Sequence, residues 1–206
     1  MRLNYQIYKR VFDFLIASVS LIVLLPFFLV LIVIIKIDSK GPIFFKQKRI
    51  GKNKKEFYIL KFRTMRFDTP KDTPTHLLKN PELYITSIGR LLRKSSLDEL
   101  PQVLNILKGE MSIIGPRPAL WNQYDLIAQR DLYGANDVYP GLTGWAQVNG
   151  RDELTVEAKA KFDGHYIENM SLLFDIQVFL MTIASVIRSE GIKEGSTQHS
   201  RERAPL

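Results

Sequence analysis

Apolar residues crowd into one long run near the start of the chain and then thin into short periodic clusters. Residues 14–35 read FLIASVSLIVLLPFFLVLIVII, 22 positions without a charge. As a straight helix this run rises about 33 Å, enough to cross a hydrocarbon core of roughly 30 Å. It is too long for the apolar region of a secretory signal, and no small-residue cleavage site follows, so a retained membrane element is expected. Pro26 stands near its middle, where it removes one backbone donor and crowds the carbonyl of Ile22. In lipid that carbonyl needs a partner, and Ser18 or Ser20 is placed to supply one. Basic residues flank both ends, Lys9 and Arg10 before, Lys36 and Lys40 after. Charge on both flanks favours a helix that dips in and returns over a single-pass anchor, which needs an asymmetry.

Past this run the period changes. Residues 42–49 and 56–65 read as two short strands around the turn IGKNKK. Residues 66–81 are polar, with prolines at 70, 74 and 81, and read as a loop. Ile85, Ile88, Leu91 and Leu92 recur at helical spacing, predicting an amphipathic helix that ends near Lys94. A second helix carries Leu100, Val103, Leu104 and Leu107 as far as Gly109, and residues 121–130 and 153–166 are further candidates. Residues 172–188, LLFDIQVFLMTIASVIR, have too short an uncharged portion to span a bilayer, leaving a core helix or one lying in the interface plane. From Ser189 the chain is polar without apolar periodicity, and a flexible tail is expected.

Composition narrows the class. The chain has 206 residues, 46% hydrophobic and 24% charged, which suits one domain with a real core and excludes a disordered or polytopic protein. Without cysteine there are no disulfides, zinc fingers or thiolate catalysis, and a reducing compartment fits. The scattered histidines 76, 165 and 199 lack metal-ligand spacing. Neither a Walker loop nor GxGxxG is present. The net charge of +8 is local: residues 36–66 hold eleven Lys or Arg against Asp38 and Glu56. Directly after a membrane segment, such a patch reads as contact with anionic headgroups, worth about 1 kcal/mol per cation. Nucleic acid is the weaker partner, and some of these cations face an acidic substrate instead.

Amid this positive charge, residues 93–102 read RKSSLDELPQ. Ser96 to Glu99 fits a capping box, a structural signature without chemistry. That register puts Pro101 where a helix needs its missing donor, whereas Asp98 as N-cap puts it where no intrahelical partner exists. A helix starting at Asp98 is therefore expected. At the positive end of the helix dipole, with Arg93 or Arg117 near, Asp98 stays ionised. An ionised carboxylate can attack phosphorus. Arg117 lies in GPRP, where flanking prolines stiffen the turn and its fork suits phosphate; the plainer reading is a solvated surface arginine. In PGLTGWAQVNGR (140–151) the glycines allow close backbone approach to a ligand and Trp145 has a face for a base, or else the loop is merely tight and Trp145 plugs the core.

In order along the chain, these stretches resemble one family, the monotopic phosphoglycosyl transferases, bacterial sugar transferases that start glycan assembly on a polyprenyl carrier. The matching segments are KRVFDF (9–14), the apolar run with its central proline, FKQKRIGK (45–52), KFRTM (61–65), LRKSSLDELPQVLNILKGEMSIIGPRP (92–118), PGLTGWAQVNGR (140–151), KFDGHY (161–166) and LLFDI (172–176). The likeness is to the minimal members, which consist of the catalytic domain alone. It implies a mixed α/β fold, mostly helical with a small strand element: a re-entrant membrane helix over residues 1–40, a cytosolic catalytic domain with interfacial amphipathic helices over 41–188, and a tail over 189–206. The bacterial cytoplasmic membrane, with the catalytic domain on its cytoplasmic face, is the implied location. Asp98 is expected to attack the β-phosphorus of a UDP-sugar, expel UMP and hold a covalent phosphosugar. Undecaprenyl phosphate then displaces it. Mg²⁺, touched by Asp98, neutralises the diphosphate, and Glu99 assists the acceptor step or orients the nucleophile. Lys61, Arg93, Arg117, Gln147, Arg151 and Asp163 fall on substrate-binding positions. Membrane lipids are implied partners and nucleic acid is not; a homodimer, the sugar, and a capsule, O-antigen or protein-linked product stay open. Two departures stand out: Leu25 replaces a serine common before the central proline, and Tyr139 replaces a common arginine. The rival reading is a non-catalytic basic membrane-anchored module or scaffold.

Overall fold

A computed structural model describes residues 2–67, 69, 81–150 and 153–188. Most of the loop expected over 66–81 and all of the tail expected from Ser189 lie outside the described residues. The described residues are mostly helical with two small sheets, and the apolar run forms one long helix, α1 (Arg2–Asp38), that continues through Pro26. The repair expected from Ser18 is not made: its hydroxyl donates to the Phe14 carbonyl at 2.8 Å, a full turn or more before Ile22.

Burial along α1 is concentrated toward its two ends. Asp13 and Ala17 are buried on one side of the run and Phe28, Leu31 and Ile35 on the other. Between them no residue from 18 to 27 is buried, Leu21 and Leu24 being only partly covered. Ile22 and Val23 are 73% and 70% exposed, apolar surface that water penalises and lipid does not.

β1 (Phe44–Ile50) and β2 (Glu56–Phe62) form the expected antiparallel hairpin, with Phe44 opposite Phe62 and Ile50 opposite Glu56. α2 (Ser87–Lys94) is capped by Thr86, whose hydroxyl accepts from the Gly89 amide at 3.0 Å. The helix expected to start at Asp98 is instead a 3₁₀ turn over Leu97–Gln102 followed by a short α3 (Val103–Leu107). Gly109, at φ +85°, ends it as glycine's conformational freedom allows. β3 (Ser112–Ile114) and β4 (Gly141–Thr143) pair in parallel, with α4 (Tyr124–Asp131) between them in sequence. α5 (Trp145–Val148), α6 (Val156–Asn169) and α7 (Leu172–Arg188) complete the described chain.

The main core joins α1 to the hairpin and to α2 and α3: Phe28, Leu31 and Ile35 pack with Phe57, Ile59, Phe62, Leu92 and Ile106. Phe62 is held edge-on by Phe28 at 5.4 Å and stacked by Phe44 at 5.6 Å. A second core gathers Ile114, Tyr166 and Val178, with Trp145 and Phe174 alongside. α7 turns Asp175 and Val178 inward and leaves Leu173, Phe179, Leu180 and Ile187 exposed. Its outer face is the more apolar one.

A polar knot fastens the start of α1. Asp175 accepts from Lys9 (2.6 Å), Tyr5 (2.7 Å) and Tyr166 (2.8 Å). Asp13 accepts from the Ser112 hydroxyl at 2.6 Å and the Ile113 amide at 3.2 Å. The two aspartates of KRVFDF and LLFDI thus meet around one lysine, with every carboxylate oxygen satisfied.

Candidate active site

Four segments converge where the acidic pair lies. Lys61 comes from the end of β2, Arg93 from the last turn of α2, Asp98 and Glu99 from the 3₁₀ turn, and Arg117 from the bend after β3. Neither local reading of the acidic pair survives. Ser96 makes no side-chain cap and takes a left-handed conformation at φ 56°, a strain of about 1 kcal/mol. The Glu99 amide donates to the Ser96 carbonyl at 3.2 Å, closing a turn tighter than an α-helix. Within it Pro101 forfeits one 3₁₀ bond, so the tight turn is set by the left-handed Ser96 and not by the proline.

Asn105, missed in the sequence, locks this turn to the hairpin. Fully buried in α3, it accepts from the Leu60 amide at 3.0 Å and donates to the Tyr58 carbonyl at 2.8 Å, acting as a short stand-in strand on the edge of β2. One residue farther along, Lys61 is thereby set against the acids. Its only sequence signal is an amide inside the apolar stretch VLNIL, where an unpaired polar group would be costly.

Arg117 is gripped from both sides. The Gly115 amide donates to the Thr143 carbonyl and the Gly141 amide to the Pro116 carbonyl, each at 2.9 Å. On the far side Arg49 donates to the Pro118 carbonyl at 2.9 Å. A Cβ at Gly144 or Gly141 would strike the backbone of Gly115. The glycines of PGLTG therefore let two backbones meet, which aims Arg117. Trp145 packs on Phe174 at 4.9 Å and beside His165, the plug reading.

The two acids share burial and little else. Both Asp98 and Glu99 are 8% exposed. Glu99 Oε1 accepts from Lys61 at 2.7 Å and from Arg117 Nη2 at 2.7 Å, and Oε2 accepts from Arg117 Nη1 at 3.3 Å. Asp98 accepts no hydrogen bond among the described residues; its nearest cation is Lys61, 3.9 Å away. Burial pushes the Asp98 carboxyl upward, against the pull of Lys61 and with a further push from Glu99, while Arg93 and Arg117 pull it down. The expectation that cations would dominate is corrected: desolvation of a carboxylate without hydrogen bonds outweighs them. Lys61 is pushed down by the same burial, opposed by the two acids.

The other expected positions have partners of their own. Asp163, on α6, pairs with Arg130 of α4 at 2.6 Å, and its Oδ1 is buried without a partner among the described residues. Gln147 donates to the Leu142 carbonyl at 3.3 Å, and its Oε1 is likewise buried without a partner among them. Arg151 lies outside the described residues. The basic patch is partly committed: Lys48 pairs with Glu56, Lys54 with Asp131, and Lys52 sits over the Tyr139 ring at 4.7 Å. Arg49, Lys61 and Arg63 are bonded inside the fold, while Lys40, Lys46 and Lys55 stay exposed.

Residues 4–189 match the model of the family described as "Bacterial sugar transferase". The chain belongs to that family. It is 42% identical over 194 residues to the uncharacterized sugar transferase EpsL of Bacillus subtilis, covering 92% of both chains. Exopolysaccharide production protein ExoY of Sinorhizobium fredii is 41% identical over 200 residues, 89% of this chain and 87% of its own. The UDP-glucose:undecaprenyl-phosphate glucose-1-phosphate transferase of Escherichia coli is 36% identical over 186 residues, 86% of this chain but 40% of its own length. As a bacterial sugar transferase the chain is an enzyme.

Proposed function

We propose that this sugar transferase moves a sugar-1-phosphate from a UDP-sugar to undecaprenyl phosphate in two steps through Asp98. In the first, an Asp98 oxygen bonds to the donor's β-phosphorus, the bridging P–O bond breaks, and UMP leaves with the electron pair. In the second, a phosphate oxygen of the lipid attacks the same phosphorus and the carboxylate departs. The observation that carries this reading is the contrast within the acidic pair. Glu99 occupies Lys61 and Arg117, while Asp98 keeps its lone pairs free beside them. Phosphoryl transfer asks chiefly for position and charge neutralisation, so one unencumbered carboxylate among three cations is a sufficient apparatus.

Lys61, Arg93 and Arg117 take phosphate oxygens, Glu99 holding two of these cations at the right height. The family pattern adds Gln147, Arg151 and Asp163 as substrate ligands. No group of three or more acids or histidines gathers among the described residues, so the protein alone builds no metal cage. Mg²⁺ fits nonetheless, since it is commonly held by one or two carboxylates plus substrate phosphates; Asp98 is the carboxylate without hydrogen bonds. When bound, the ion supplies charge neutralisation to the diphosphate.

A re-entrant course for α1 is supported by its attachments. Arg10 donates to the Ile106 and Met111 carbonyls at 2.7 Å, and Arg63 donates to the Ser39 carbonyl at 2.6 Å. Flanks tied to one folded unit belong on one side of a bilayer, here the cytoplasmic side, with the bare apolar middle in lipid. Donor alone is the test. With a UDP-sugar and no acceptor, intact-mass measurement should show one sugar-phosphate on Asp98 and one equivalent of UMP released. Turnover with undecaprenyl phosphate but without that adduct would overturn the two-step chemistry.

A further inference from the structure

Three consecutive residues at the end of β2 face three different tasks. Lys61 reaches Glu99. Phe62 packs on Phe28 of α1. Arg63, 5% exposed, sends Nη2 to the Ser39 carbonyl at 2.6 Å, to the Ser39 hydroxyl at 2.9 Å and to the Ile35 carbonyl at 3.5 Å. These are acceptors at the C-terminal end of α1, where a helix runs out of its own donors; the Ile35 carbonyl also accepts from the Ser39 amide at 3.3 Å. Arg63 is thus a C-cap supplied by another element. Its Nε and Nη1 are buried without partners among the described residues, so Nη2 alone makes the cap. Gly41, at φ +125°, leaves the space that Nη1 fills: a Cβ there would collide with it.

Building on the two-step reading, we propose that Arg63 is a positioning residue for the acceptor step. Lys61 and Arg63 stand about 7 Å apart along the strand, so capping α1 fixes the height of the membrane helix relative to the acids. The soluble donor arrives without help from that geometry. The lipid acceptor does not: its phosphate oxygen must reach the phosphorus held on Asp98, form the new P–O bond and return the electron pair of the broken bond to the carboxylate. A shift of α1 moves the lipid's headgroup, not the donor.

The test separates the two half-reactions in the full chain, using a UDP-sugar accepted by the wild type. Arg63→Gln should slow turnover with undecaprenyl phosphate in phosphatidylglycerol–phosphatidylethanolamine vesicles roughly ten- to a hundredfold, while donor-only adduct formation stays within about twofold. Arg63→Lys, still able to cap a carbonyl, should recover most of the loss. Gly41→Ala leaves Arg63 in place but displaces its guanidinium, and should reproduce the signature more weakly. A short, water-soluble polyprenyl phosphate should erase the deficit in every variant. Parallel loss of both rates, no loss in either, or a deficit that persists with the soluble acceptor would each overturn the proposal. Should Arg63→Gln fail to fold, the ratio of the two rates in Arg63→Lys and Gly41→Ala decides it. A wild type that turns over without an adduct overturns the two-step reading itself, before any variant is compared.

Discussion

Two buried acid clusters in this enzyme are built on opposite terms. Around Asp175 and Asp13, every carboxylate oxygen accepts a hydrogen bond from a lysine, a hydroxyl or an amide. Around Asp98 and Glu99, one acid is saturated by Lys61 and Arg117, and the other accepts no hydrogen bond among the described residues, with Lys61 3.9 Å away. The first arrangement repays desolvation in full and can serve as a fastening. The second leaves a charge short of partners, which is costly to keep and useful only if something arrives to use it. A cluster satisfied internally suits an anchor; one left incomplete suits the proposed reaction centre.

The comparison breaks most sharply at its two aspartates. Asp98→Asn should lower turnover by at least about 10⁴-fold, as loss of a covalent nucleophile does. The same variant should melt higher, gaining about 0.5–2 kcal/mol, because a buried charge without hydrogen bonds is removed. A lower melting temperature would make Asp98 a structural carboxylate like Asp175. Lys9→Met attacks the other cluster and should cost about 3–5 kcal/mol in urea unfolding of the detergent-solubilised enzyme, since it strands buried carboxylates. If stability is unchanged, the knot around Asp175 is not a fastening.

Smaller effects sharpen the same contrast. Arg117→Lys gives up the two-pronged grip on Glu99 and should reduce turnover about a hundredfold with the fold intact, read by kinetics beside circular dichroism. Acid titration is subtler. Because burial raises Asp98, adduct formation should be present at high pH and be lost as pH drops, with its midpoint above the ordinary aspartate value of about 4. Stability runs the opposite way. The folded state holds the Asp98 proton more tightly than the unfolded chain, so this group's contribution is full below about pH 4 and lost as pH rises through the folded value. Melting curves against pH should show that trend in the wild type and flatten in Asp98→Asn.

Much of the architecture was legible because it rests on local pattern. The apolar run, the hairpin, α2, α6 and α7 follow from period and from Thr or Gly punctuation, and α7 spans the residues read for it. The parallel pairing of β3 with β4 was not, since three-residue strands carry no period and join positions 112 and 141. The acidic pair was read as the start of an α-helix, a sound inference from Pro101 that lost to a left-handed Ser96 and a 3₁₀ turn. The basic patch was legible as charge but not as commitment: Lys48, Lys54 and Lys61 spend theirs on acids far along the chain or across the hairpin.

What the linear order of residues determined is the inventory: a lipid-compatible helix, two adjacent acids, a stiff arginine turn, and motifs specific enough to name the family. Those depend on side-chain chemistry and on neighbours within a few positions. Only the folded chain decided which acid is bare and which is bound. That outcome turns on Lys61 and Arg117 reaching Glu99 rather than Asp98 across separations of 38 and 18 residues. Desolvation and hydrogen bonding act through space, over a few ångströms, and no spacing rule along the chain encodes them.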